Sequence, residues 1–328
     1  MFLSIMDNKN KTILQRYTDN PRITASQLSS ELKLSKNAVL ERIKTLKKKK
    51  IILGSTCFPN YFKLGFSQYL LFISSQKIFS DKNFLKDLDL DPVIEILSLL
   101  GKYNLYIKFI SPSEHHKQSF IEKIINTLEV EDYELIQIKY YDLIPAKKYK
   151  SEAKEIPLLY NPSNEKQKLF ELDKIDLKIL EEITKNSEQS LAIIADKLKI
   201  SAQVIAYRFK RLIKKQIIIR FYGYTDIFSQ NLQLYFLRFE LVKPTESLSL
   251  FKKFILDQCI QDISILEHKQ SFFCTLEAET RKDMLDSIQN LIKINKNVKS
   301  IEIDIFLDQI YYNFFPDIIK QKLSEKRK

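Results

Sequence analysis

Ser35-Lys36-Asn37-Ala38-Val39-Leu40-Glu41-Arg42-Ile43-Lys44-Thr45-Leu46 returns 166 residues later as Ser201-Ala202-Gln203-Val204-Ile205-Ala206-Tyr207-Arg208-Phe209-Lys210-Arg211-Leu212. In both stretches a serine precedes apolar residues spaced three and four apart: Val39, Ile43 and Leu46 in one, Ile205, Phe209 and Leu212 in the other. Serine is a good helix N-cap, and that spacing gathers the apolar side chains on one helical face. Extended outward at the same offset, residues 6–52 align with 172–218 without a gap, and 15 of those 47 positions are identical. Other apolar positions match in kind, as Leu28 does with Ile194 and Leu34 with Ile200. Similarity held at one offset marks an internal repeat, so the 328 residues read as two copies of one module.

Each copy opens with three short helical patterns. The first spans residues 7–18, with Ile13, Leu14 and Tyr17 on one face. Thr24-Ala25-Ser26-Gln27 is a capping box that launches a second helix burying Ala25, Leu28 and Leu32. Lys33-Leu34 makes a tight connection, and Ser35 caps the third helix; Ser190, Ile194, Leu198 and Ser201 repeat the pattern. Three short helices with a tight turn before the third, then β-rich Ile51-Ile52-Leu53, describe a winged helix-turn-helix.

The remainder of each copy has a different texture. Residues 67–76 read as a strand, 82–90 as a helix, 93–99 and 105–111 as a strand pair around Gly101, 113–128 as a helix and 134–143 as a strand. Copy two repeats the order at 233–242, 248–257, 263–267, 272–277, 281–294 and 298–307. The order β-α-β-β-α-β is ferredoxin-like. The expected class is therefore α+β, two tandem modules, each a winged helix-turn-helix followed by a ferredoxin-like domain. The expected boundaries are 1–54 and 168–220 for the helical units, 65–145 and 232–312 for the αβ domains, 146–167 for a linker and 313–328 for a basic tail.

Composition excludes several classes. Four glycines, none spaced as GxGxxG or GxxxxGK[ST], argue against glycine-loop nucleotide folds. Cys57, Cys259 and Cys274 lack metal-ligand spacing, no apolar run approaches 18 residues, and the opening Met1-Phe2-Leu3-Ser4-Ile5 lacks the charged start of a signal peptide. A cytoplasmic, non-membrane protein is expected. With no Ser/His/Asp, Cys/His or metal constellation, no cofactor and no enzymatic activity are expected.

The net charge of +12 proves little by itself, because AT-rich coding enriches lysine. Its distribution says more. Residues 1–54 carry +8 and residues 166–220 carry +6, which leaves −2 for the rest. Solubility alone fits two basic helical units beside slightly acidic αβ units poorly, whereas neutralising the phosphates of double-stranded DNA fits them well. In the first third helix, Ser35, Lys36, Asn37, Glu41, Lys44, Lys47 and Lys48 are the candidate contacts; Lys36 and Asn37 stand at the N-terminus that meets base edges, Asn37 can pair with adenine, and Lys44, Lys47 and Lys48 suit phosphates. In the second, Ser201, Gln203, Tyr207, Lys210 and Arg211 take that role. Arg42 and Arg208 are equivalent, and either a phosphate contact or a structural ion pair fits them. Because the two faces differ, the copies are expected to read different half-sites.

On these residues the sequence resembles, twice, the Lrp/AsnC (feast/famine) family of transcriptional regulators. Leu172-Asp173-Lys174-Ile175-Asp176-Leu177-Lys178-Ile179-Leu180 is similar to its opening LDxxDxxIL, and Asn20-Pro21-Arg22 to its N-x-R. The segments 35–46 and 201–212 follow its SxxxVxxRIxxL recognition helix, and Gly101-Lys102-Tyr103-Asn104 is similar to its G-x-Y-D. Lys50 and Gln216 stand where the family has a glycine before two isoleucines, Asn10 replaces an aspartate, Glu188 replaces an arginine, and His268-Lys269-Gln270-Ser271 replaces G-x-Y-D in copy two. The resemblance implies αβ domains that dimerise and bind an amino-acid effector near Gly101, Tyr103 and Asn104, with the pocket lost in copy two. Within one chain the αβ domains are expected to pair as an intramolecular pseudo-dimer, on which further homo-oligomers can build. Two other functions share this architecture: a sirohaem decarboxylase-like enzyme, for which His115, His116 and His268 are the available histidines, and a partner-binding protein that has lost DNA binding.

Overall fold

A computed structural model describes residues 6–80, 83–143, 170–242, 260–266, 271–294 and 297–325. Copy one runs α1 (Asn8–Asp19), α2 (Ala25–Leu32), α3 (Lys36–Lys48), β1 (Ile52–Pro59), β2 (Ser67–Ser74), α4 (Lys77–Ser80), β3 (Val93–Leu100), β4 (Leu105–Ser111), α5 (Glu114–Leu128) and β5 (Asp132–Leu143). Copy two runs α6 (Lys174–Lys185), α7 (Leu191–Leu198), α8 (Ala202–Lys214), β6 (Ile218–Thr225), β7 (Gln233–Leu241), β8 (Ile260–Leu266), β9 (Ser271–Ala278), α9 (Arg281–Ile294), β10 (Val298–Tyr312) and α10 (Ile318–Glu325). The chain does not divide at its middle. One compact unit joins Met1–Asn60 to Leu172–Leu232, and the other joins Tyr61–Glu171 to Gln233–Lys328.

In the helical unit, local chemistry sets each helix. Thr24 and Gln27 form the capping box, Ser35 accepts from the Ala38 amide, and Ser190 and Ser201 cap α7 and α8 in the same way. Asp173 and Asp176 form a further capping box at α6. Lys33 and Lys199 end their helices in the left-handed region, which makes the tight turn before α3 and α8. Lys50 and Gln216 also have positive φ, at 55° and 56°, a conformation that glycine adopts without strain. A non-glycine residue there costs roughly 1–2 kcal/mol.

The strands that follow α3 and α8 pair with each other across the repeat. β1 and β6 form an antiparallel two-stranded sheet in which Thr56 faces Tyr222, its own counterpart 166 residues on. An internal two-fold therefore passes through that pair, with Ser55 facing Gly223 and Cys57 facing Phe221 on either side.

The second unit is a closed barrel of eight strands in the order β10-β3-β4-β2-β5-β8-β9-β7. Each copy contributes four neighbouring strands, and the joints β3–β10 and β5–β8 cross between copies. Alternation along the strands divides their side chains between two faces. In copy one, Tyr69, Leu71, Ile73, Ile107 and Phe109 pack under Phe120, Ile121 and Ile124 of α5. In copy two, Leu237, Phe239 and Leu276 pack with Ile288 and Leu291 of α9. The opposite face, carrying Phe72, Tyr106, Phe236 and Phe273, lines the interior as one aromatic cluster.

Two expectations change. No long helix covers 82–90. The chain makes α4 and a single 3-10 turn at Phe84–Asp87, which buries Phe84 and Leu88, because Pro92 and the aspartates before it disfavour a continuing helix. Residues 313–325 do not trail as a basic tail. Phe314, Phe315, Ile318 and Ile319 are buried, and the Tyr61 hydroxyl donates to the Phe314 carbonyl at 2.9 Å. The linker 146–167, the helix expected at 248–257, Cys259 and His268 lie outside the described residues. Among the described residues no helix is long and apolar enough to cross a membrane.

Candidate nucleic-acid interface

The third helix of each copy buries one face and exposes the other. Val39 and Leu46 are fully buried in α3, as are Ile205 and Leu212 in α8. Outward, the same four positions form a stripe at i, i+4, i+7 and i+11. Asn37, Glu41, Lys44 and Lys48 carry it on α3, and Gln203, Tyr207, Lys210 and Lys214 carry it on α8; all eight are exposed. The two lysine positions are common to both stripes. Asparagine is exchanged for glutamine, and glutamate for tyrosine. Lys36 is exposed at the first turn of α3, where its counterpart is Ala202. Glu41 approaches Lys44 at 3.9 Å, with both side chains more than two-thirds exposed, so this pair is worth little.

Several other candidates make bonds within the protein. Ser35 and Ser201 spend their hydroxyls on helix caps. Arg42 donates to Asp7 at 2.8 Å and to Asn10 at 2.9 Å. Its equivalent Arg208 pairs with Asp173 and Asp176, so both arginines make the structural ion pair. Arg211, expected on the exposed face, reaches back to the fully buried Asp176. A sequence signal for this exists in the repeat: Asn10 and Thr45 of copy one become Asp176 and Arg211 in copy two, so opposite charges enter together. Lys47, expected at phosphate, donates to Glu188 at 2.8 Å.

Glu188 also accepts from the Tyr17 hydroxyl at 2.9 Å, while Arg22 donates to the carbonyls of Ser187 and Gln189 and lies over the Phe209 ring at 5.2 Å. Arg22 and Glu188 are equivalent positions of the repeat. In the sequence they are only a match to, and a departure from, one motif, whereas in the structure each bonds to the other copy. Burial, and then the Glu188 carboxylate, push the Tyr17 phenol well above its ordinary value, so it remains a donor.

Burial works against ionised Asp7 and Asp173. The Asn10 amide and Arg42 nevertheless hold Asp7 below the usual carboxylate range, and the Asp176 amide and Arg208 do the same for Asp173. A carboxyl depressed by folding contributes stability above its unfolded value, about 3.9, and loses that contribution as pH falls through the folded value. The melting temperature of the helical unit is expected to be level above about pH 5 and to fall below about pH 4. Circular dichroism should show a shallower fall for Asp7→Asn/Asp173→Asn; an acid transition of unchanged steepness contradicts the assignment.

In the barrel unit, Gly101, Tyr103 and Asn104 each contact a different part of the protein. The Asn104 amide brackets Ser75, accepting from its N–H at 3.2 Å and donating to its carbonyl at 2.8 Å. A Cβ at Gly101 would collide with the Asp304 carboxylate, and Tyr103 is buried beneath the Arg238 guanidinium. His116 sits 3.0 Å from the Ser111 hydroxyl, its pKa lowered by burial. No group of three metal-ligating side chains occurs among the described residues.

A family model for winged helix-turn-helix DNA-binding domains matches residues 6–52 and again 172–219. The uncharacterized HTH-type transcriptional regulator PH0061 of Pyrococcus horikoshii is 24% identical over 145 residues, spanning 42% of this chain and 98% of that protein. The corresponding regulator PF2053 of Pyrococcus furiosus is 27% identical over 145 residues, spanning 43% and 95%. Among solved structures, the siroheme decarboxylase NirDL aligns over 98% of this chain and 100% of its own, with a TM-score of 0.59 and 13% identity, a likeness of fold.

Proposed function

We infer that this chain, a tandem winged helix-turn-helix protein of the Lrp/AsnC type, is a sequence-specific transcriptional regulator that reads an asymmetric DNA site as a single polypeptide. The observation that carries the reading is the pair of exposed stripes on α3 and α8. Both keep their lysines at the same two positions and differ where bases would be read. Lys44, Lys48, Lys210 and Lys214 would meet phosphates, and Lys36 stands at the base-facing start of α3. Asn37 and Gln203 suit adenine, and Glu41 suits the cytosine amino group. Selection from random-sequence duplex DNA tests this. Enrichment of a site with two unlike halves is expected, and no enrichment would favour a partner-binding protein instead.

We further propose that the αβ domains pair within one chain. Support comes from the joints β3–β10 and β5–β8, which close the barrel without a second molecule. Light scattering is expected to give the mass of one chain or of whole-number assemblies whose αβ domains stay paired internally; pairing found only between chains would refute it.

The whole-chain likeness to NirDL is the one observation that favours an enzymatic reading. Against it, the buried arginine of the barrel interior is already paired with the chain's own carboxylates, and His116 bonds to Ser111. Mixing with sirohaem is expected to leave its absorption spectrum unchanged, and a shift on mixing would reopen the enzyme.

A further inference from the structure

The barrel interior holds an arginine in surroundings that would suit a ligand. Arg238 on β7 is 6% exposed, and it donates to Glu134 at 2.8 Å, to Asp304 at 3.0 Å and to Glu302 at 2.8 Å. Its guanidinium carbon lies 4.6 Å from the Phe72 ring centre and 5.0 Å from that of Tyr103. Asp304, 1% exposed, is aimed by the Lys102 amide, which donates to its second oxygen at 3.1 Å. The Arg238 Nε is buried without a hydrogen-bond partner. Carboxylates in the plane and aromatic faces above are how a planar, delocalised cation is recognised, and the fit is to its end group. Phe72 and Arg238 are also equivalent positions of the repeat, so the guanidinium stands on the ring of its own counterpart.

We propose that Arg238 is a built-in ligand: Phe72, Tyr103, Glu134 and Asp304 form a guanidinium site that the chain fills with its own side chain, closing the barrel interior to free small molecules. The site itself does not depend on the DNA-binding reading. Its regulatory consequence does: DNA affinity would be set without an amino-acid effector at Gly101, Tyr103 and Asn104.

The test is chemical rescue in the full chain. Arg238→Ala is expected to melt roughly 5–15 °C lower, because it strands a buried carboxylate. Ethylguanidinium at about 1–10 mM should restore at least half of that loss in a saturable way, as a ligand of the folded state alone does. Ethylammonium and ethylurea, which lack the charged fork, should not. Arg238→Ala/Asp304→Asn should fold without the ligand and show no response to it. Where the single variant does not fold, refolding is followed with and without ethylguanidinium, and failure to refold in its presence overturns the proposal. So does an equal response to ethylammonium, or a wild-type melting shift on adding free amino acids. Loss of DNA binding in every protein would refute the regulator reading and leave the melting result to decide the site.

Discussion

Binding of the full chain to duplex DNA is expected to weaken by roughly 10³–10⁵ between 50 and 200 mM salt, as six to ten phosphate contacts require. Lys36, Lys44, Lys48, Lys210 and Lys214 are exposed on or beside the two stripes, and Lys49 and Lys215 extend them. Each phosphate neutralised contributes about 0.9 to the slope of log affinity against log salt. Lys44→Ala/Lys48→Ala/Lys210→Ala/Lys214→Ala should therefore flatten the slope by roughly 3–4 units while weakening binding to all sequences alike. Lys47→Ala provides the contrast, because its ammonium is paired with Glu188 and is expected to change the slope less than a stripe lysine does. Fluorescence anisotropy over a salt series reads both. A flat wild-type response, or an unchanged slope in the fourfold variant, would remove the proposed interface.

Gly223→Ala is expected to destabilise the helical unit by about 3 kcal/mol or more, beyond ordinary overpacking of about 1–3 kcal/mol. A Cβ on Gly223 would overlap both the ring and the backbone carbonyl of Tyr17. The ring has nowhere to move: its hydroxyl bonds to Glu188 at 2.9 Å and to the Gly54 carbonyl at 3.2 Å. The carbonyl cannot rotate away without disturbing α1. At β1, the contrasting Gly54→Ala meets nothing within 4 Å and should change stability little. Urea unfolding followed by circular dichroism separates the two variants. Equal stability of Gly223→Ala and wild type would show that Tyr17 of α1 does not lie against β6 at Gly223. Gly223 stands where copy one has Cys57, and Tyr17 stands where copy two has Ile183. The repeat therefore demands no glycine here; only the meeting of the two copies does.

The same contrast runs through the rest of the molecule. The helices and their caps were legible because each depends on residues three or four apart: Thr24 with Gln27, Ser35 with Ala38, and the apolar spacing of Val39 and Leu46. Most of the exposed stripes, the reverse of the same periodicity, were legible too, but Lys214 was not among the expected contacts. Arg211 was misplaced because a residue with a solvent-facing helical position can still turn its long side chain to a buried carboxylate 35 residues away.

The sequence by itself determined the repeat, its helices, the order of its strands and the location of its charge. These follow from local spacing and from comparing one copy with the other. Tertiary structure alone decided that β1 pairs with β6 and that Glu188 takes Lys47. It also decided that Arg238 lies over Phe72, and that Arg42, Arg208 and Arg211 near the third helices pair with carboxylates while the stripe lysines stay exposed. Those choices join groups more than a hundred residues apart, or set one partner against another for the same charge. Local periodicity carries no information about either.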